Sequence, residues 1–157
     1  MKYKPHNYQQ HAFDHVINLP GSGLFMEMGL GKSVIALTAA DYFLNETCEV
    51  SKVLVIAPKK VAESVWMQEG EKWDHLKHLR FSLILGSEKD RIKALNRKAD
   101  VYVINRENVP WLIALSQGKW KYDAVIVDES SSFKNPDSKR FRALKVVVPA
   151  VKRIIIL

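Results

Sequence analysis

The stretch "FMEMGLGKSVIAL", residues 25–37, places two glycines, a lysine and a serine inside an otherwise apolar segment. Its apolar residues predict a strand over residues 24–28 and a helix over residues 33–44, with "GLGK" at the turn between them. A helix that starts after such a turn offers unpaired N–H groups and the positive end of its dipole, which together bind phosphate. The stretch therefore predicts an α/β domain with a phosphate site.

The residue types at this turn favour a triphosphate with magnesium. Gly29 and Gly31 can adopt backbone angles closed to other residues and can turn their N–H groups toward an anion. In the pattern G-x-x-x-x-G-K-[ST], Lys32 reaches the β- and γ-phosphates and the Ser33 hydroxyl binds Mg²⁺. Met26 stands where this pattern has its first glycine. A glycine-bearing turn with a chance lysine is the alternative interpretation.

Outward from this turn, short β-branched runs alternate with amphipathic segments. The runs are "VLVIA" at 53–57, "VYVI" at 101–104, "AVIV" at 124–127 and "IIIL" at 154–157, and the amphipathic segments include residues 60–73 and 88–98. Continuous apolar runs are typical of strands buried on both faces. The alternation predicts a mainly parallel sheet flanked by helices on both faces. The "GSG" at residues 21–23 is interpreted as a plain turn.

A second chemical signal follows the run "AVIV", which leads directly into Asp128 and Glu129. An aspartate at the carboxyl end of a buried strand can hold Mg²⁺ through water, and the adjacent glutamate can orient or deprotonate an attacking water. Taken alone, the pair is better interpreted as an acidic strand end that caps the next helix. Together with "GLGKS", it favours a nucleotide-hydrolysing site.

Composition limits the remaining possibilities. A chain of 157 residues with 47% hydrophobic content suits one domain, and its net charge of +7 is compatible with a polyanionic partner. Cys48 is the single cysteine, which indicates a reducing compartment. No apolar run approaches the roughly 18 residues of a membrane span, so we expect a cytoplasmic protein with no membrane partner. Because "RIIIL" ends at Leu157 without a polar loop, we expect a fragment.

Other residues that are capable of site chemistry are given no function. His11 and His15 lie one helical turn apart, but Ala12 replaces the glutamate of H-E-x-x-H, so we expect a packed or exposed helix face. His75 and His78 have no cysteine or carboxylate cluster beside them in the sequence. The tryptophans are interpreted as core and rim packing.

Four segments together resemble the SWI/SNF-like branch of superfamily-two helicases, in particular its compact phage or prophage members. "MEMGLGKS" is similar to the family's motif I, and "VIVDESSSFKNPDSKRFRALK" to motif II. "YKPHNYQQHAFDHVI" resembles the adenine-reading segment, and "VLVIAPKKVAESVWMQEGEKW" resembles motif Ia with its helix. The resemblance covers residues 1–157 and implies a single RecA-like amino-terminal lobe of an ATP-driven translocase that acts on DNA.

The resemblance also implies roles for individual residues. Gln9 would recognise adenine, Asp128 would serve Mg²⁺ with Ser33, and Glu129 would position water. The implied nucleotide-binding residues at the turn are Met28, Gly29, Leu30, Gly31, Lys32 and Ser33. The implied contacts to the nucleic-acid backbone are Lys59, Lys60, Asn105, Arg106, Lys134, Lys139 and Arg140. For these basic residues, a solvated surface is an equally good interpretation.

Two departures from the family pattern shape the expected activity. The family's Asp-Glu-Ala-His is Asp128-Glu129-Ser130-Ser131 here, and the lost histidine affects coupling to nucleic acid more than hydrolysis. Motif III and a second RecA-like lobe, which carries the arginine fingers, are not in the sequence. We therefore expect weak ATP binding and little turnover from these 157 residues alone, in a bacterial or phage-infected host cytoplasm.

Two other functions remain open. One is a non-catalytic, nucleotide-gated interaction module, which would be favoured if this short form is the natural product. The other is a small-molecule P-loop phosphotransferase, which would need arginines grouped near the phosphates. Arg80, Arg91 and Arg97 show no such grouping in the sequence.

Overall fold

The computed structural model describes residues 1–24, 31–128 and 139–157, without the side chains of residues 139–141 and 143. In these ranges the chain forms a six-stranded sheet with the order β1-β6-β5-β2-β4-β3, and every neighbouring pair is parallel. The strands are β1 (Gly21–Gly23), β2 (Val53–Ala57), β3 (Phe81–Ile84), β4 (Val101–Asn105), β5 (Ala124–Val127) and β6 (Arg153–Ile156). All six strands therefore end at the same edge of the sheet, which is called the carboxyl edge below.

Helices cover both faces of the sheet. They are α1 (Asn7–Asn18), α2 (Lys32–Asp41), α3 (Lys59–Lys72), α4 (Glu88–Leu95), α5 (Val109–Ser116) and α6 (Lys139–Val147), and a π-helical turn, Tyr42–Glu46, continues α2. On one face, α1, α2 and α3 share a core with Val53 and Val55. On the other, α4, α5 and α6 pack with Leu54 and Ile56. Successive residues of β2 thus point to opposite cores, which explains why its run is apolar throughout.

The structure confirms the predicted α/β class and the four predicted β-branched strands, of which β2 and β5 have the predicted limits and β4 and β6 differ by one residue. It also adds β3 and α5, which the sequence patterns did not identify. The interpretation of "GSG" as a plain turn is wrong, because Gly21–Gly23 forms β1 and pairs with β6 in the register Ser22↔Ile155. The Leu24 N–H continues this pairing to the Ile156 carbonyl at 2.8 Å. The rest of the strand predicted over residues 24–28 lies outside the described residues.

Several predicted helix limits change by a few residues. The helix predicted over residues 33–44 begins at Lys32, and the helix predicted over residues 88–98 ends at Leu95. Asn105 is the last residue of β4 rather than the first residue after it. Within the described ranges, no helix has both the length and the apolar character that crossing a membrane requires.

Candidate nucleotide-binding site

Helix α2 begins at the carboxyl edge, directly after the predicted phosphate turn. Gly31 precedes it with φ 81° and ψ 34°, a left-handed conformation that favours glycine. Lys32 and Ser33 are the first two residues of the helix, and both are half-buried. Among the described residues no side chain caps this helix start. The first N–H groups of a helix have no partners within the helix, and such groups can bind phosphate.

Gln9 lies against this helix start. A Cβ added to Gly31 would be 2.6 Å from Gln9 Nε2, so the side-chain amide occupies the space that a larger residue would need. Gln9 is 7% exposed on α1, and its Oε1 accepts a hydrogen bond from the His6 N–H at 2.9 Å. The predicted adenine-reading residue and the phosphate turn are thus neighbours in space, although they belong to separate segments of the sequence.

Asp128 follows β5 and is held from two directions. Its backbone N–H donates to the Ile56 carbonyl at 2.8 Å, which extends the pairing of β5 with β2. Its side-chain Oδ2 accepts a hydrogen bond from Trp66 Nε1 at 3.1 Å. Trp66 is fully buried on α3. The carboxylate therefore has a defined position at the end of the strand.

The predicted phosphate residues and the predicted magnesium ligand share one edge. In the sheet order β1-β6-β5, β1 leads toward α2 and β5 leads into Asp128, and both strands run the same way. Backbone N–H groups, the Lys32 ammonium, the Ser33 hydroxyl and a carboxylate form the set of groups that a magnesium nucleotide requires. The residues present fit this ligand. Met28, Gly29, Leu30 and Glu129 belong to the same prediction but lie outside the described residues.

The predicted nucleic-acid residues of β2 and β4 are also neighbours at this edge. Lys59 and Lys60 are exposed at the start of α3, just after β2. Asn105 ends β4, and it pairs in register with Ala57, the last residue of β2. Parallel pairing thus places the exposed lysines next to the end of β4.

A carboxylate moderates the charge at the end of β4. Asn105 Nδ2 donates to Glu107 Oε2 at 3.0 Å, and Arg106 Nε donates to Glu107 Oε1 at 3.3 Å. Partial burial by itself would raise the pKa of Glu107, but hydrogen bonds from its own backbone and from Asn105 and Arg106 hold that pKa below its usual value. Glu107 is therefore ionised at neutral pH and offsets one positive charge there.

The last three predicted contacts are less fully described. Lys134 lies outside the described residues. Lys139 and Arg140 form the first turn of α6, which packs on α5, but their side chains are outside the description. The prediction for these residues stays a prediction.

The histidines show no metal site. His11 and His15 are exposed on α1, as expected. His75 Nε2 lies 2.8 Å from Thr38 Oγ1, and His78 Nε2 lies 2.7 Å from Asp41 Oδ1. In the described part of the chain no group of three His, Cys, Asp or Glu side chains is placed to hold a metal ion.

Comparison with known proteins decides the family. A family model for the SNF2-related domain matches residues 8–156. The chain belongs to the SNF2-related family. This membership confirms the resemblance to the SWI/SNF-like branch. The resemblance to phage members is confirmed by a relative, "Putative protein p41" of Acyrthosiphon pisum secondary endosymbiont phage 1. It is 35% identical over 134 residues, which is 85% of this chain and 29% of the phage protein.

Other SNF2 relatives come from cellular organisms. The DNA repair and recombination protein RAD54-like of Drosophila willistoni is 28% identical over 81% of this chain and 18% of its own length. The solved Sulfolobus solfataricus SWI2/SNF2 ATPase core in complex with dsDNA matches with a TM-score of 0.76 and 26% identity, over 99% of this chain and 32% of that chain. This match supports the RecA-like fold. The chain spans less than a third of the length of these relatives.

Proposed function

We propose that this chain is the ATP-binding amino-terminal lobe of a SWI/SNF-like DNA-dependent ATPase that hydrolyses ATP to move along DNA. The observation that carries the proposal is the contact between Gln9 and Gly31 at the start of α2, with Asp128 at the same edge of the sheet. An adenine reader, a phosphate turn and a magnesium carboxylate form the parts of one ATP site. Membership in the SNF2-related family supports the same conclusion.

Each residue of the proposed site has a definite task. Lys32 places its ammonium on the β- and γ-phosphates, and the N–H groups at the start of α2 hold phosphate oxygens. Ser33 and Asp128 hold Mg²⁺, the latter through water, and Glu129 orients the attacking water. The metal, when bound, neutralises charge that develops on the phosphate oxygens.

DNA is the polymer along which we propose that the ATPase moves. Lys59, Lys60 and Arg106 gather at the carboxyl edge, where cationic groups can bind backbone phosphates. Asn105 is included because the family resemblance implies it; its amide is buried and hydrogen-bonded to Glu107 and Asn108. We extend this surface to Lys134, Lys139 and Arg140 on the basis of the family resemblance. Such contacts give affinity with little sequence preference, and they weaken as salt rises. The related Sulfolobus solfataricus ATPase core was solved in complex with dsDNA, which supports this partner.

Turnover in this proposal requires a second RecA-like lobe. An arginine finger that stabilises the transition state is worth roughly 10³ to 10⁵ in rate, and we place that residue on the second lobe. Residues 1–157 alone then bind ATP weakly and turn it over slowly or not at all. We place the complete protein in the cytoplasm of a bacterium or a phage-infected host.

The test compares nucleotide binding by this chain with hydrolysis by the complete two-lobed protein, with and without duplex DNA. Lys32→Ala should remove nucleotide binding, and Glu129→Gln should retain binding but remove turnover. Lys93→Ala, at an exposed position on α4, is the control. Turnover that ignores DNA, or activity that survives both substitutions, would refute the translocase. Binding without any turnover in the complete protein would favour the nucleotide-gated module instead.

A further inference from the structure

Trp66 connects the buried core to the proposed magnesium site. Its side chain is fully buried, yet its indole Nε1 donates to Asp128 Oδ2 at 3.1 Å across 62 residues of sequence. A buried indole N–H that lacks a partner is unfavourable, so the core itself favours this contact. A hydrogen bond to an ionised carboxylate is also stronger than one between neutral groups.

The geometry of α3 explains how the indole reaches the edge of the sheet. Helix side chains lean toward the helix amino terminus and cover the preceding turn. For Trp66 that turn contains Ala62, which is fully buried and leaves room for the ring. The amino terminus of α3 lies at the carboxyl edge, after β2, so the ring leans toward the end of neighbouring β5. Asp128 is the residue located there.

We propose that Trp66 is a positioning residue for Asp128 in magnesium-dependent nucleotide binding. The inference rests on the proposed function, because it assigns a task to the same carboxylate. The indole N–H fixes Oδ2, and the sheet fixes the backbone N–H of Asp128. With both ends held, rotation of the carboxylate is restricted and Oδ1 keeps one direction. Partners that orient a carboxylate bound directly to a metal change metal affinity about 10- to 100-fold when they are removed, and for a carboxylate that acts through water we expect the lower end of that range.

The first experiment measures binding of a fluorescent ATP analogue to this chain, with and without Mg²⁺. Trp66→Phe keeps an aromatic ring but removes the donor. We expect it to raise the Mg²⁺ concentration at half-saturation about tenfold, with metal-free nucleotide affinity unchanged. The matched control is Trp73→Phe, because Trp73 Nε1 also donates to a carboxylate, Glu69 Oε2, at 2.8 Å. That variant should retain the Mg²⁺ dependence of the unsubstituted chain.

The second experiment uses NMR of the indole N–H protons and does not depend on a core substitution. In the unsubstituted chain the Trp66 proton should exchange slowly with solvent. It should shift when Mg²⁺ and nucleotide are added together, and much less with nucleotide alone. Asp128→Asn should shift the same resonance in the absence of metal and leave that of Trp73 in place.

The outcomes separate this inference from the proposed function. If the unsubstituted chain binds no magnesium nucleotide, the proposed function fails. If it binds, but Trp66→Phe and Trp73→Phe share one Mg²⁺ dependence, the positioning role is wrong. An equal loss of affinity with and without Mg²⁺ shows a purely structural tryptophan and also overturns it. If Trp66→Phe does not fold, a Trp66 indole resonance that responds neither to Asp128→Asn nor to Mg²⁺ with nucleotide overturns the positioning role as well.

Discussion

Two glycines with the same backbone angle allow a direct test of the contact between α1 and the phosphate turn. Gly31 and Gly118 both have φ 81°. An L-residue in this left-handed region costs about 1–2 kcal/mol, so alanine at either position carries that penalty. A Cβ at Gly118 meets nothing within 4 Å, whereas a Cβ at Gly31 lies 2.6 Å from Gln9 Nε2. The difference between the two variants therefore reports mainly the effect on Gln9, with a smaller contribution from Val34 Cγ1 at 3.3 Å.

The expected magnitudes follow from these contacts. Gly118→Ala should lower the free energy of unfolding by about 1–2 kcal/mol, and each kcal/mol corresponds to roughly 2–4 °C in Tm for a domain of this size. Gly31→Ala carries the same penalty and also forces Gln9 to move. The hydrogen bond that Gln9 accepts from the His6 N–H is then lost, which adds about 1 kcal/mol. We expect Gly31→Ala to melt a few degrees below Gly118→Ala.

The functional assay compares affinities for ATP and GTP by fluorescence competition. Displacement of Gln9 should reduce affinity for ATP and remove the preference for adenine, while Gly118→Ala should retain both. Gln9→Ala should reproduce the loss of preference without the backbone penalty. The reasoning is refuted if Gly31→Ala keeps the stability of Gly118→Ala and the adenine preference of the unsubstituted chain.

Three further predictions concern stability and are measured by denaturant unfolding. Gly70→Ala should lose about 1 kcal/mol net, because a Cβ 2.5 Å from Phe81 Cε2 costs about 1–3 kcal/mol and alanine inside α3 regains about 0.5–1 kcal/mol; an unchanged midpoint would contradict this. Burial lowers the pKa of His75, so the neutral side chain contributes fully to the free energy of unfolding above pH 6.5. This contribution is lost as the pH falls through the pKa of the folded state, and His75→Asn should weaken the loss of stability in acid. Burial and nearby Tyr102 raise the pKa of Tyr122, so stability should fall as the pH rises above 10, and Tyr122→Phe should weaken that alkaline dependence.

The sequence alone predicted the strands whose burial can be recognised from consecutive residues. The segments β2, β4 and β5 are buried at every position, and each appears as a continuous apolar run. Strand β1 was missed because its residues have low strand propensity, and it forms only through parallel pairing with β6. Strand β3 lies at the edge of the sheet and alternates in burial, and Ser82 interrupts its apolar residues. Ser82 is tolerated in the core because its hydroxyl donates to the Ala94 carbonyl at 2.7 Å.

Some parts of the site can likewise be recognised from consecutive residues, whereas others depend on contacts between distant segments. The helix start at Lys32 and the acid after β5 are local patterns: the predicted helix begins within one residue of the observed one, and Asp128 directly follows β5 as predicted. The contact between Trp66 and Asp128 depends on how α3 packs over β5. Nothing in the spacing of 62 residues indicates it. A fully buried tryptophan one helical turn after a buried alanine indicates such a contact only when the strand beside the helix is known.

Helix α3 links the two proposed halves of the carboxyl edge. Its first turn carries Lys59 and Lys60, the proposed DNA contacts, and Trp66 lies about 9 Å further along the same helix, at roughly 1.5 Å per residue. A rigid helix that moves at its start also moves the indole that holds Asp128. The resemblance to the SWI/SNF-like branch implies a histidine at position 131, for coupling between ATP and nucleic acid, and this chain has Ser131 there. The hydrogen bond between Trp66 and Asp128 is formed by other residues, so a serine at position 131 does not remove it.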